Sequence, residues 1–168
     1  MSTTLEDYFK TYSKDAIIAD LQSSPEKFLE LMDIAVNPSD KNAWRACWIL
    51  RSSMNRNDER IQRISHQLVQ ILPEAKEGHQ REILYLLENI KVSEEDEGNL
   101  FNTCMNIWEK TKSQPSVRFH AFKMILKIIK KYPELASEIE FLTEPHFMDS
   151  LTHGARHSVN KLLKEFRT

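Results

Sequence analysis

Residues 116–132 constrain the fold of this chain more than any other stretch. They read SVRFHAFKMILKIIKKY and directly follow Pro115. With side chains about 100° apart around a helix, the apolar residues cover well over half of the circumference, and the lysines share the narrow remaining face. A helix this apolar must be covered on more than one side, so the pattern predicts a helix inside a helical stack. Arg118 lies within the apolar arc, where a buried charge needs an acceptor.

The composition indicates one helical domain with an ordinary soluble balance. Of the 168 residues, 40% are apolar and 29% are charged, which suits a single domain with a real core. Only 3 glycines are present, which argues against a sheet rich in hairpin turns and against a glycine-rich phosphate-binding loop. The formal net charge of −2 provides no overall basic field to attract nucleic acid.

The expected compartment is the cytoplasm. No apolar run approaches the roughly 20 residues of a membrane span, and the acidic, polar start of the sequence carries no signal-peptide pattern. Cys47 and Cys104 are predicted to be buried free thiols, because two cysteines alone do not make the disulfide framework of a secreted protein. We therefore expect a reduced, cytoplasmic protein with no membrane contact.

Wide and narrow apolar faces alternate along the chain. Helices with wide faces are predicted over residues 40–55, 79–91 and 116–132. Helices with narrow faces are predicted between them, over residues 58–72 and 99–112, and a last narrow-faced helix over residues 155–166. An outer helix followed by an enclosed one, repeated, predicts stacked helical hairpins, and a narrow-faced terminal helix closes such a stack against water.

The predicted fold is an all-α superhelix of about four stacked helical hairpins. Residues 1–24 are expected to form one or two short capping helices, and residues 25–168 a repeat domain, the whole making a single compact domain. Capping residues set the expected helix starts. Ser39 is predicted to cap the helix over residues 40–55, and Ser93 with Asp96 the helix that follows them.

An arginine recurs near the start of each enclosed helix. Arg45, Arg81, Arg118 and Arg156 are separated by 36, 37 and 38 residues, a spacing that suits a two-helix unit. With the pattern Val117-Arg118-x-x-Ala121-x-x-x-Ile125, the chain resembles HEAT/armadillo-like repeat proteins over roughly residues 25–168. The resemblance implies an α–α superhelix in which such arginines join a ladder of side-chain bonds between repeats.

The resemblance also implies a non-enzymatic scaffold that binds a protein or peptide in its concave face. Trp48, Arg51 and Arg118 are the candidate residues of that surface. Trp44, Trp48 and Arg51 stand at positions i, i+4 and i+7 of one helix, and if exposed they would form an aromatic surface with a cation beside it. The alternatives are that this stripe belongs to the core, and that each recurring arginine, Arg118 included, only bonds a carboxylate or carbonyl of the adjacent repeat.

A second candidate surface is basic. Lys123, Lys127, Lys130 and Lys131 share one face and could be joined by residues of the last helix: Lys161, Lys164 and Arg167. Such a face could hold phosphates, and some HEAT-like proteins are DNA glycosylases, so nucleic-acid binding is the alternative function. The sequence shows no matching set of catalytic carboxylate, aromatic and arginine residues, and lysines at helical spacing are usually a solvated face.

No cofactor, metal or catalytic site is predicted. The only clustered histidines are His146, His153 and His157, and Gly154 interrupts the helical spacing that a metal site would need. No Gly-x-Ser-x-Gly elbow is present, and no histidine is placed by any sequence signal to activate a cysteine. We therefore expect the protein not to be an enzyme.

Overall fold

The computed structural model describes residues 5–11 and 13–168, and every regular element in this part of the chain is a helix. The all-α fold class predicted from the sequence is therefore confirmed. The helices form two compact units, Met1–Val92 and Ser93–Thr168. Residues 1–4 and 12, which belong to the predicted capping segment of residues 1–24, lie outside the described residues. The stack of about four hairpins and the division into residues 1–24 and 25–168 remain predictions.

In the first unit, helix α4 packs against three other helices. The unit contains α1 (Leu5–Thr11), α2 (Lys14–Ser23), α3 (Pro25–Ala35), α4 (Ala43–Ser53), α5 (Glu59–Gln62), α6 (Ser65–Ile71) and α7 (Glu77–Glu88). Helix α4 contacts α2, α3 and α7, and Ala46, Cys47 and Leu50 are fully buried among them. Because it has neighbours on several sides, this helix can be apolar nearly all round.

Helix α4 begins at Ala43 and not at Asp40, so the prediction that Ser39 caps it is wrong. Asn37 and Asp40 instead hold a turn. The side-chain oxygen of Asn37 accepts the Ser39 N–H at 3.1 Å, and a carboxylate oxygen of Asp40 accepts the Asn42 N–H at 2.8 Å. Short polar side chains compete in this way with helical hydrogen bonds, which delays the start of the helix.

The helix predicted over residues 58–72 is broken at Ile64 into α5 and α6. Asp58 caps α5 by accepting the Arg60 N–H at 3.0 Å. The Arg60 guanidinium donates two further hydrogen bonds to the same carboxylate, at 3.0 and 2.7 Å, and lies 3.8 Å from the ring centroid of Phe28. These hydrogen bonds from Arg60 lower the pKa of Asp58.

His79 is a buried polar residue that joins α7 to α3. Its Nε2 lies 2.8 Å from the carbonyl oxygen of Ala35, so Nε2 carries the hydrogen and donates it to the end of α3. Burial lowers the pKa of His79, because the charged imidazolium loses its hydration there. The ring is therefore neutral at pH 7.

We expect the protein to lose stability below about pH 6.5, with His79 responsible for part of the loss. In that range His79 takes up a proton in the unfolded chain and stays neutral in the folded chain. The free energy of unfolding therefore falls by at most about 1.4 kcal/mol for each pH unit. Urea unfolding at about pH 7.5 and about pH 5.5 measures the effect. His79→Gln keeps an N–H donor without titrating, so it should lose less stability over this interval than the wild type.

An equal loss in both proteins would contradict that prediction. The pH interval of the measurement also lies above the range in which the carboxylates of Asp58 and Glu97 take up protons. The pKa values of Asp58 and Glu97 are lowered in the folded protein, so their contributions to stability are lost only as the pH falls below the ordinary carboxylate range.

The second unit is built around helix α9. It contains α8 (Glu94–Glu109), α9 (Pro115–Lys131), a 3-10 helix (Pro133–Leu135), α10 (Glu138–Leu142), α11 (Pro145–Met148) and α12 (His153–Arg167). Helix α9 packs against α8, α12 and the 3-10 helix. Its buried residues include Val117, Ala121, Phe122 and Ile125. Within this unit, α9 is therefore the enclosed helix that the pattern of residues 116–132 predicts, and it ends at Lys131.

The ends of the helices in this unit follow local capping chemistry. The Ser93 hydroxyl accepts the Asp96 N–H at 3.3 Å and donates to the Asp96 carboxylate at 2.9 Å, as the sequence predicts. Between α9 and α11 the chain forms two short helices, the 3-10 helix and α10. Helix α12 buries Val159 and Leu163, which gives it the expected narrow face. No helix in the described ranges is long and apolar enough to cross a membrane.

Candidate binding surface

The two tryptophans of α4 lie at the surface of the first unit. Trp44 is 40% exposed, and Trp48 and Arg51 are half-buried along the same stripe of the helix. A cation lies near each indole ring: the Arg45 guanidinium is 5.2 Å from the centroid of Trp44, and Lys14 Nζ is 5.7 Å from that of Trp48. Both separations are within the range of cation–π attraction. The stripe of Trp44, Trp48 and Arg51 therefore lies partly at the surface and not entirely in the core.

Arg51 is held in place from two directions. Its Nε lies 2.8 Å from a carboxylate oxygen of Glu82, and its guanidinium carbon lies 4.3 Å from the ring centroid of Tyr85. The Arg51 side chain remains 29% exposed. We call Trp44, Trp48, Arg51 and Tyr85 the α4–α7 surface.

Glu82 is a buried carboxylate placed between two arginines. The residue is 1% exposed. One of its carboxylate oxygens faces Arg51, and the other accepts hydrogen bonds from Nε and Nη2 of Arg81 at 3.3 and 3.2 Å. Two partly exposed cations thus compensate one enclosed anion. Sequence reasoning missed Glu82, although its position inside the wide apolar face of residues 79–91 signals a charge that needs partners.

Cys47 is buried close to this carboxylate. Burial raises the pKa of the Cys47 thiol, and the negative charge of Glu82 raises it further. A thiol with a raised pKa stays protonated at neutral pH, and the protonated form is not the nucleophile. The arrangement favours a structural role for Cys47.

Arg118 is not part of the surface. It is 1% exposed, which does not fit the prediction that it contacts a partner. Its Nε donates to the Trp108 carbonyl at 2.9 Å, Nη1 to the Ser150 hydroxyl at 2.9 Å, and Nη2 to the Phe147 carbonyl at 3.3 Å. The guanidinium carbon also lies 4.6 Å from the Trp108 ring centroid. Arg118 is a structural residue, which agrees with the alternative of a buried arginine bonded to carbonyls.

The other recurring arginines have different partners. Arg156 resembles Arg118, because its Nε donates to the carbonyl of Met148 at 3.1 Å. Arg81 binds a carboxylate, and Arg45 is exposed against an indole ring. In the second unit these arginines contact backbone carbonyls, whereas in the first unit Arg81 pairs with a buried carboxylate and Arg45 lies against an indole ring.

The predicted basic face is exposed but partly neutralised. Lys123, Lys127, Lys130 and Lys131 all point to solvent along α9. Lys131 Nζ lies 2.8 Å from Glu97 and 3.5 Å from Glu94 of α8, and the hydrogen bond to Glu97 raises the pKa of Lys131. Burial alone would raise the pKa of Glu97, but the hydrogen bond from Lys131 lowers it overall. Acids of α8 thus reduce the positive charge at the end of this face.

The clustered histidines are exposed. His146 packs against the ring of Phe147, with the ring centroids 5.1 Å apart, and His153 and His157 lie in the first turns of α12. Across residues 5–11 and 13–168, no group of three or more His, Cys, Asp or Glu side chains is placed to hold a metal ion.

The packing within each unit defines a class of protein. Helix α3 packs on α4 and α8 on α9, and the second helix of each pair contacts a later helix, α7 or α12. Paired helices repeated in this way are the units of an α-helical repeat protein. The HEAT repeat domain model matches residues 1–166, and the chain belongs to this family. No curated protein and no solved structure matches the chain.

Proposed function

We propose that this chain is a non-enzymatic scaffold that binds a protein or peptide through the α4–α7 surface. HEAT repeat domains commonly mediate protein interactions and are generally not catalytic. The observation that carries the proposal is the placement of Arg51, which is fixed by Glu82 and lies on Tyr85 while its side chain remains partly exposed. Tryptophan, tyrosine and arginine are the residues that most often dominate binding energy at protein interfaces.

The proposed mechanism is rigid display. Trp48 and Arg51 lie on one helix, which is packed against α2, α3 and α7. Arg51 is already held by its ion pair, so a partner would not have to order this long side chain on binding. Less conformational entropy is then lost when the complex forms, which leaves more of the contact energy as affinity.

We expect Trp48→Ala to reduce partner capture about tenfold, because it removes an aromatic side chain from the middle of the stripe. The measurement is a pull-down with the tagged protein from a nuclease-treated lysate of its own organism, at low and high salt. The matched control is Leu29→Ala, because Leu29 is 52% exposed on α3 and its truncation also removes exposed apolar area. A partner that binds Trp48→Ala as well as it binds the wild type would contradict the proposed surface.

Nucleic-acid binding is the second candidate function, and the observation that favours it is the row of exposed lysines on α9. Phosphate contacts weaken steeply as salt rises, whereas an aromatic peptide surface does not. Binding of a labelled DNA duplex that is lost in Lys127→Glu/Lys130→Glu and unaffected by Trp48→Ala would favour this function. The proposed compartment is the cytoplasm, because the two cysteines, Cys47 and Cys104, are buried thiols that form no disulfide.

A further inference from the structure

A groove lies between α1 and the start of α4, at the end of the stripe that contains Trp44 and Trp48. Its volume is about 300 Å³, and it is lined by Glu6, Phe9, Lys10, Lys41, Asn42, Trp44 and Arg45. An adjoining cavity of about 400 Å³ shares Glu6, Phe9, Lys41 and Asn42 with it. The two together are large enough for a few side chains of an extended peptide.

The groove carries an excess of positive charge. Lys10, Lys41 and Arg45 line it, against the carboxylate of Glu6, and the adjoining cavity adds the carboxylate of Asp40. Lys41 Nζ lies 3.2 Å from that carboxylate, so Glu6 is already paired. Within the described part of the chain, neither Lys10 nor Arg45 is paired with a carboxylate. Two cations thus remain to attract an anionic group in a protein whose overall charge is −2.

The groove also has an open aromatic wall. Trp44 is one of three large apolar side chains that are exposed in the described residues. Arg45 lies 5.2 Å from its ring centroid, so the cation and the indole form one continuous surface. Tryptophan and arginine are enriched among the residues that dominate binding energy, so this pair has the composition of an interface anchor.

We infer that this groove binds an acidic peptide segment of a partner protein. An Asp or Glu side chain of the segment faces Lys10 and Arg45, and a neighbouring apolar side chain packs on Trp44. Charge complementarity selects this occupant. Lys10 and Arg45, with the Glu6 carboxylate beside them, can pair with one or two acidic side chains of a peptide. A nucleic-acid backbone carries a longer row of phosphates, and some of these would lie against the like charge of Glu6.

The inference rests on the proposed function and extends it by naming the chemistry of the partner. The probe is a phage-displayed library of random linear peptides selected on the immobilised wild-type protein. The most enriched peptide is then synthesised with a fluorescein label, together with an analogue in which Asn and Gln replace Asp and Glu. Binding is measured by fluorescence anisotropy, which reports the two affinities directly.

The variants separate the groove from the rest of the surface. Lys10→Glu/Arg45→Glu reverses the two unpaired cations, and Trp44→Ala removes the aromatic wall. The control, Arg56→Glu/Arg63→Glu, makes the same change in net charge at two exposed arginines of the same unit. Urea unfolding of each variant shows that it is folded before its affinity is interpreted.

We expect enriched peptides to combine acidic with aromatic or aliphatic residues. The amide analogue and Lys10→Glu/Arg45→Glu should each weaken binding about tenfold, and the control by less than about twofold. Peptides that require Trp48 but bind equally well without their acids, or to Lys10→Glu/Arg45→Glu, would overturn this inference and leave the proposed function standing. No peptide binding, or peptide binding that is unchanged in both Trp44→Ala and Trp48→Ala, would overturn both. Groove-dependent binding of a labelled single-stranded DNA in place of peptide would also overturn the inference.

Discussion

Replacing Arg118 with leucine is expected to lower the free energy of unfolding by about 3 kcal/mol. The substitution removes three hydrogen bonds from the guanidinium and leaves the Trp108 carbonyl without this donor, whereas the Phe147 carbonyl keeps a hydrogen bond from the Ser150 hydroxyl. It also removes the cation that lies against the Trp108 ring. A buried acceptor that loses its partner costs about 1–3 kcal/mol, and leucine cannot restore any of these contacts.

The midpoint of urea unfolding measures this effect, and Lys130→Ala is the matched control. Lys130 is exposed on the same helix, so its truncation should change stability by less than about 0.5 kcal/mol. Arg118→Lys keeps the positive charge but cannot span three acceptors, so it should recover only part of the loss. If Arg118→Leu and Lys130→Ala unfold at the same urea concentration, Arg118 does not hold the second unit together.

The second large effect is expected from Glu82→Gln, which should cost about 2 kcal/mol of stability. The amide has nearly the same volume as the carboxylate, so the change removes charge without opening a cavity. Arg51 and Arg81 then face a neutral group, although both are exposed enough to regain some hydration, which keeps the cost below that of a fully buried ion pair.

A second measurement distinguishes Glu82 as a positioning residue from Glu82 as a purely structural one. If the Glu82 carboxylate fixes Arg51 against the Tyr85 ring, Glu82→Gln should also weaken partner capture. The extent should follow the weakening of capture that Arg51→Ala causes. Glu74→Gln is the control, because it makes the same chemical change at an exposed position of the same unit. Reduced stability with unchanged capture would mean that the orientation of Arg51 does not matter for binding.

Much of the fold could be predicted because its signals are local. The enclosed helix α9 follows from the spacing of apolar residues within one stretch, and the start of α8 follows from Ser93 and Asp96, which are three residues apart. The stripe on α4 could also be found, because Trp44 and Trp48 share a face of any helix that contains both. Each of these features depends on residues that are close in sequence.

The roles of the charged residues could not be predicted, because their partners are distant in sequence. Arg118 binds residues 29 and 32 positions later, and only the folded chain brings those acceptors to it. The pairing of Arg51 with Glu82 is likewise a contact between α4 and α7. Helical periodicity showed that a charge lay in an apolar face, and it carried no information on whether the charge was a binding residue or a structural one.

The contacts of Arg118 have a consequence for how the second unit moves. One guanidinium joins the carbonyl of Trp108 in α8 to Phe147 in α11 and to Ser150 beyond it. If one of these segments moves away from α9, it breaks a hydrogen bond to the same guanidinium that holds the others. Amide hydrogens in α8, α9 and α11 should therefore exchange with deuterated water at a common rate, because the three segments open together. In Arg118→Leu the segments should open separately, so their exchange rates should differ from one another and be faster than in the wild type.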